Sequence, residues 1–507
     1  MKKKIIALTI LAGLSFQACE DIVEVEPKTS LATDTALSTL GSYRAVLTSA
    51  YDRIQGFTYW GRDMALLGDA LADNIYTETS QAGGRYTGAN RNTRNSHFAS
   101  TGTTNVWQVG YGTINDLNTV IATIDNLTVP ASDEAGKAQV KAQALALRAM
   151  VYFDLARIYG YEPNNIPTSG TGANFNKSVV LRLTPTSTPQ DAALEERATV
   201  TEVYTQIETD LKAAIPVLDV AASSGARYKM NKGAAYALLG KLYLYWEKWA
   251  DAEEQLKLAL ANTNATLAPN IVTAFNTIPN PESLFELNFV QSTEVAGVTG
   301  VNESIFTYTQ PNGRNAPLSG TANVSTYGGQ TPSAELLALF GLTPDLSNKD
   351  AVQDIRKNWF YRSVSSTSGT VQYTWSNKYN AANGAYTDNI KIIRYADVLL
   401  MLAEAHTMQG ETGDAITLLT TLKTARNSQA VVPTGQTELF QYIQEERRRE
   451  LFFEGHRWFD LKRWGEGITK PAATAVGIIA PTDYRILAPI PVTEVTLNPA
   501  LPQNPGY

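Results

Sequence analysis

Apolar residues recur at intervals of three and four along much of the chain, the spacing that gathers them on one face of a helix. Ala36, Leu40, Tyr43, Leu47, Ala50, Tyr51 and Ile54 form one such stripe; Val140, Ala144, Leu147, Val151, Leu155 and Ile158 form another. Residues 231–262 read as two helices broken near Lys248, and 396–409 with 414–426 as a further pair. The segment 264–389 breaks the period. It is rich in Gly, Asn, Ser, Thr and Pro with scattered Tyr and Trp, which predicts a loop-rich lobe with short strands.

Within the helical segments, bulky and small residues also sit at set offsets, as two antiparallel helices require if they are to approach closely. Tyr236, Leu239, Gly240, Tyr243, Ala252, Leu256 and Ala259 fit the template of the tetratricopeptide repeat, a helix pair of about 34 residues. Leu399, Leu402, Ala403, Ala415 and Leu419 fit it again. Tyr152, Leu155, Ala156 and Tyr159 supply a first helix, and Ile207, Leu211 and Ala214 its partner, with a loop insertion at 160–199 between them. Helices at 43–54 and 106–127 predict a fourth pair, split by residues 55–105. The expected fold is all-α: one domain from 34 to 507, with a tetratricopeptide-like scaffold over 34–263 and 390–465 and the loop-rich lobe over 264–389. Stacked repeats allow a single domain of this length.

The N-terminus reads as a leader. Lys2, Lys3 and Lys4 precede an apolar run from Ile5 to Phe16 that is too short to span a bilayer. Ala18 then precedes Cys19, and the pair resembles the lipobox of bacterial lipoproteins, in which the cysteine is acylated and becomes the first mature residue. Residues 1–18 are thus expected to be a lipoprotein signal peptide and 19–33 a lipid-anchored tether. Glu20 and Asp21 resemble signals that send some lipoproteins to the outer face of the outer membrane.

Composition and motifs narrow the chemistry. A net charge of −7 argues against nucleic-acid binding, which needs a basic stripe. One cysteine excludes an intrachain disulfide, and His97, His406 and His456 show no ligand spacing, so no metal or cofactor is expected. No phosphate-cradling P-loop, G-x-S-x-G elbow or H-E-x-x-H motif is present. Carboxylates crowd residues 446–465, with Glu450 and Glu454 one helical turn apart. A glycosidase needs two carboxylates flanking its substrate, about 5 to 9.5 Å apart, whereas these project side by side. A structural helix ended by Gly455 is expected instead, its Arg and Glu residues paired and Trp458, Phe459 and Trp464 in the core. His406 occupies an aromatic slot of the repeat and is expected to pack.

The same run, ERRRELFFEGHRWFDLKRWG from Glu446 to Gly465, resembles the signature of the SusD/RagB family. Arg394-Tyr395-Ala396-Asp397 with Ala403-Glu404-Ala405, Arg148-Ala149 through Leu155, and the ending Pro489-Ile490-Pro491 to Tyr507 are similar to other parts of that family. The resemblance implies a non-catalytic, lipid-anchored protein on the cell surface, facing outward. It would bind a glycan or oligosaccharide and deliver it to a SusC-like TonB-dependent transporter in the outer membrane. A surface glycoside hydrolase and a tetratricopeptide adaptor for protein segments are the competing readings.

A sugar ring presents an apolar C–H face and a rim of hydroxyls, so its site wants a flat aromatic with polar groups beside it. Two stretches carry that mixture. The loop after the first helix offers Tyr59, Trp60, Asp73, Asn74, Tyr76, Arg85 and Tyr86; the lobe offers Tyr308, Trp359, Tyr361, Arg362, Trp375 and Tyr379. Each ring has a second reading, packing beneath its own loop.

Overall fold

Four antiparallel helix pairs form the scaffold of the computed structural model, which describes residues 37–78, 86, 106–188, 191–221, 223–290, 303–311, 326–364 and 370–507. Residues 1–33, with the lipidation candidate Cys19, and the ligand candidate Arg85 lie outside the described residues. Among the described residues the helices in chain order begin with α1 (Leu40–Gln55), α2 (Asp63–Leu71), α3 (Val106–Thr123), α4 (Glu134–Tyr159) and α5 (Val200–Ala214). They continue with α6 (Lys232–Tyr245), α7 (Trp249–Ala261), α8 (Ile271–Ala274), α9 (Ile305–Thr309) and α10 (Ala334–Leu339). The last five are α11 (Tyr395–Met408), α12 (Thr412–Arg426), α13 (Gln436–Leu451), α14 (Arg457–Arg463) and α15 (Val492–Leu497). The pairs are α1 with α3, α4 with α5, α6 with α7 and α11 with α12, the same four that the sequence predicts. They stack through α3–α4, α5–α6 and α7–α11, and α13 packs on α11.

Local chemistry sets these helices. Thr39 and Ser42 form a capping box that satisfies the first amides of α1, and Thr199 with Glu202 does the same for α5. Asn231 caps α6 by accepting from Ala234 N at 3.1 Å. Gly240 lets α6 and α7 close on each other: a Cβ there would lie 2.6 Å from Leu256 Cγ.

The intervening lobe is loop-rich, and the strands among the described residues are short and paired antiparallel. β1 (Ile75–Thr77) pairs with β3 (Gln330–Pro332), and β2 (Ser283–Leu287) with β6 (Ile390–Arg394). β4 (Phe360–Val364) pairs with β5 (Gln372–Ser376), and β7 (Ile468–Thr469) with β8 (Ile478–Ile479). The fold is helix-rich and all-α in class.

The carboxylate run at 446–454 is a buried ion-pair network. Glu450 accepts from Arg356 at 2.9 Å, Arg394 at 3.0 Å and Arg426 at 2.9 Å. Glu454 accepts from Arg394 and Lys378, both at 2.7 Å, and Glu446 from Arg356 and Arg449, both at 2.7 Å. Burial alone would raise the Glu450 carboxyl, but the three guanidiniums outweigh it and hold the group well below the usual range. Trp458 and Phe459 are buried as expected; Trp464 is only half-buried, its Nε1 donating inward to the buried Glu404 Oε1 at 2.9 Å.

Three buried lysines close helix C-termini, whose last carbonyls lack intrahelical donors and favour a cation. Lys470 Nζ donates to the carbonyls of Ala70, Leu71 and Ala72 at 2.8, 2.7 and 3.0 Å, at the end of α2. Lys462 Nζ donates to the carbonyls of Arg157 and Gly160 at the end of α4. Lys378 Nζ donates to those of Glu450 and Phe452 at the end of α13.

Candidate functional site

The two candidate stretches, about 250 residues apart in sequence, meet along one seam. β1 carries Tyr76 and pairs with β3, Tyr76 opposite Thr331, whose Oγ1 donates to the Tyr76 carbonyl at 2.8 Å. β3 in turn packs against β5 of the hairpin that holds Tyr361, Arg362 and Trp375. Ser333 ties the ribbon's end down, its N donating to Asn74 O and its Oγ to Asp73 O, both at 2.8 Å.

Arg62 is the centre of the seam. Its guanidinium is fully buried, with Nε donating to Asp63 Oδ1 at 2.8 Å and Nη1 to the Tyr308 hydroxyl at 3.0 Å and to Glu303. Its plane lies 4.9 Å from the Phe57 ring centre and 4.8 Å from that of Tyr308, within cation–π range. Tyr86 donates to Asp63 Oδ1 at 2.6 Å and meets Tyr308 edge-on at 5.4 Å; Tyr327 meets Tyr308 at 5.5 Å. Burial pushes the Tyr86 phenol well above its ordinary range. Burial alone would pull Arg62 down, but its acidic and phenolic neighbours raise it, so its charge is fixed.

The sequence candidates divide by exposure. Tyr76, Tyr361 and Arg362 are half-buried at the seam and its flanking hairpin. Tyr361 donates to Gln310 Oε1 at 2.5 Å, and Arg362 Nη1 to Thr374 Oγ1 at 3.2 Å. Trp60, Trp359 and Trp375 do not present the flat face expected of them, and here the sequence reading is corrected. Trp60 is buried with Nε1 on Asp154 at 2.8 Å. Trp359 packs between Phe275 and Phe452, with Lys378 over its ring at 4.6 Å. Trp375 is fully buried, its Nε1 on Ser363 O at 3.2 Å. Asp73 and Asn74 are buried too: Asp73 accepts from Arg457 at 2.8 and 2.9 Å, and Asn74 Oδ1 from Arg448 at 2.6 Å. Tyr86 is buried within the Arg62 cluster, and Tyr59, Tyr308 and Tyr379 are core.

Sequence reasoning missed Arg62, Phe57, Glu303 and Tyr327. Phe57 and Tyr327 are half-buried, and Glu303 has 14% of its side chain exposed. None belongs to a periodic stripe, so only the pairing of distant loops reveals them. A separate cleft of about 400 Å³ is lined by Tyr111, Asn115, Arg182, Glu195, Leu497 and neighbours. Its Arg182 and Asn115 are already engaged by Glu195 and by the backbone of Thr186, so it offers few unsatisfied polar groups to a sugar.

A stack of helix pairs that carries loops folded into an aromatic seam is the architecture of a binding scaffold. The chain belongs to the SusD family. Residues 362–507 match a family model described as the SusD family, and 29–244 match one described as starch-binding, associating with the outer membrane. The SusD-like protein P38 of Formosa agariphila is 26% identical, over 100% of both chains. A solved SusD superfamily protein from Bacteroides thetaiotaomicron superposes with a TM-score of 0.75 at 25% identity, covering 92% of this chain and 100% of that one. A solved laminarin binding SusD-like protein gives 0.70 at 23% identity, covering 92% and 99%.

Proposed function

We propose that this protein captures an oligosaccharide at the cell surface, without chemistry on it, and delivers it to a SusC-like TonB-dependent transporter. The observation that carries the reading is the seam. Two long loops converge there on half-buried Phe57, Tyr76 and Tyr327, with Glu303 beside them, which is the aromatic-plus-polar mixture a sugar ring requires. Family membership supports the glycan class of ligand, and one solved relative of this fold is a laminarin binder. Binding without hydrolysis fits the state of Glu446, Glu450 and Glu454, which are buried and spent on cations.

The test is calorimetry of the purified protein against a glycan panel that includes laminarin and starch, with a reducing-end assay on the same mixtures. Binding with no new reducing ends is expected. Tyr76→Ala and Tyr327→Ala should each weaken the best ligand by roughly 1–3 kcal/mol, about ten- to a hundredfold, with little change in melting point. Normal binding by both variants would move the site away from the seam.

A further inference from the structure

We propose that Glu253, His406 and Glu411 bind a divalent transition cation, zinc fitting best, at the junction of the third and fourth helix pairs. The site is independent of the glycan reading. Glu253 stands on α7, His406 in the last turn of α11, and Glu411 in the turn that leads into α12. Their sequence positions conceal the set, and the packing of α7 against α11 assembles it.

The geometry suits one ion. One ligand atom from each residue lies within 4.8 Å of the others. His406 Nδ1 is 2.5 Å from Glu411 Oε2 and 3.8 Å from Glu253 Oε2. Zinc bonds of about 2.0–2.2 Å put the ligand atoms of a tetrahedral ion about 3.3 Å apart. The two observed separations bracket that value; rotation of the exposed Glu411 side chain lengthens the shorter one, and a small shift of the Glu253 carboxylate shortens the longer.

The electrostatics point the same way. Two carboxylates converge on a single ring nitrogen, and one N–H can serve only one of them. A divalent ion satisfies both while taking the neutral imidazole as its third ligand. Lys257 Nζ holds Glu253 Oε1 at 2.5 Å, and Gln409 Nε2 holds Oε2 at 2.7 Å. Each carboxylate oxygen has two lone pairs, so these contacts orient Glu253 without consuming it, the role that outer-shell groups play at metal sites. The His406 side chain is 4% exposed and that of Glu411 45%. The nitrogen is therefore fixed from within, and the solvent side stays open for the ion and a water as fourth ligand. One nitrogen and two oxygens favour zinc and its transition-metal neighbours over calcium, which takes six to eight oxygens. A bound ion would clamp α7 to the α11–α12 turn and stiffen the stack.

The experiment is calorimetric titration of chelator-stripped, full-length protein with zinc chloride, with melting curves at saturation. One ion per chain and a raised melting point are expected. His406→Gln should weaken binding on the order of a hundredfold, and the exposed Glu411→Gln at least about tenfold, since loss of even an outer-shell partner costs about 10- to 100-fold. Cobalt in place of zinc should give a visible absorption band that His406→Gln removes. The idea fails if zinc produces no heat up to about 1 mM. It fails equally if Glu411→Gln binds zinc as the wild type does, which would make the bound metal an adventitious ion only.

Discussion

Gly455 has no side chain because the backbone of Met64 stands where one would go. A Cβ there would lie 2.3 Å from Met64 O, and the residue's φ of +80° is left-handed as well. Gly68 faces it from α2, where a Cβ would lie 3.2 Å from the Gly455 backbone. This contact seats α2, and with it the start of the seam loop, against the turn after α13. Gly455→Ala combines left-handed strain of about 1–3 kcal/mol with overpacking of similar size. A loss of roughly 2–5 kcal/mol in urea denaturation is expected, and a loss below about 1 kcal/mol would mean that the turn yields. The sequence reading took this glycine for the terminator of the helix, but α13 ends at Leu451 with Phe452 as its C-cap; the task Gly455 does perform, letting another helix approach, was not legible, because no local pattern encodes a distant neighbour. The tryptophans show the same limit from the other side. Trp60 and Trp359 carry the composition of a sugar platform, but the same ring area drives burial. Only the positions of Asp154, Phe275 and Phe452 decide that both are core.

At the scale of elements, Asp73 joins the turn after α2 to two later helices. It accepts from Arg457 on α14 at 2.8 Å and forms an ion pair with Arg448 on α13 at 3.3 Å. Burial alone would raise its carboxyl, but Arg457 and Arg448 lower it to about 2. A carboxylate depressed in the folded state adds stability above its unfolded pKa of about 3.9, and that share is lost as the pH falls through the folded value. Asp73→Asn should therefore destabilise the protein at pH 7 by roughly 2–3 kcal/mol, at about 1.4 kcal/mol per unit. The gap between wild type and variant should close between about pH 4 and 2. Thermal melts across that range measure it, and a gap independent of pH would sink the assignment. Asp460, lowered to about 2 against burial by Arg447 and Arg463, should steepen acid unfolding of the wild type in the same window. The four helix pairs of the scaffold were readable in the sequence, since a period of three and four survives wherever one face is buried. The β1–β3 pairing was not. Three-residue strands hold no alternation to detect, and Tyr76 and Thr331 are brought together only by the scaffold between them.

For the whole molecule, the proposed anchor and partner make two demands. Cys19→Ala should leave the melting point unchanged and move the protein from the membrane to the soluble fraction, because on the lipobox reading acyl chains on Cys19 would supply the anchoring. Equal membrane partition of variant and wild type would end the lipobox reading. A transporter should co-purify with the wild type in detergents that preserve β-barrels; recovery of this chain alone would count against delivery. The lysines that close α2, α4 and α13 carry a different implication. Lys378 is held down to about 8 by burial, and Lys462 and Lys470 are lowered for the same reason. Such amines lose their proton more readily than a surface lysine, yet no reagent can reach them while the stack is closed. They are in effect internal clocks for global opening. An acylating reagent should modify Lys212, with 58% of its side chain exposed, within its own reaction time. It should mark Lys378, Lys462 and Lys470 only at the rate at which the scaffold around them opens, so peptide mass spectrometry at those three positions would time unfolding of this protein.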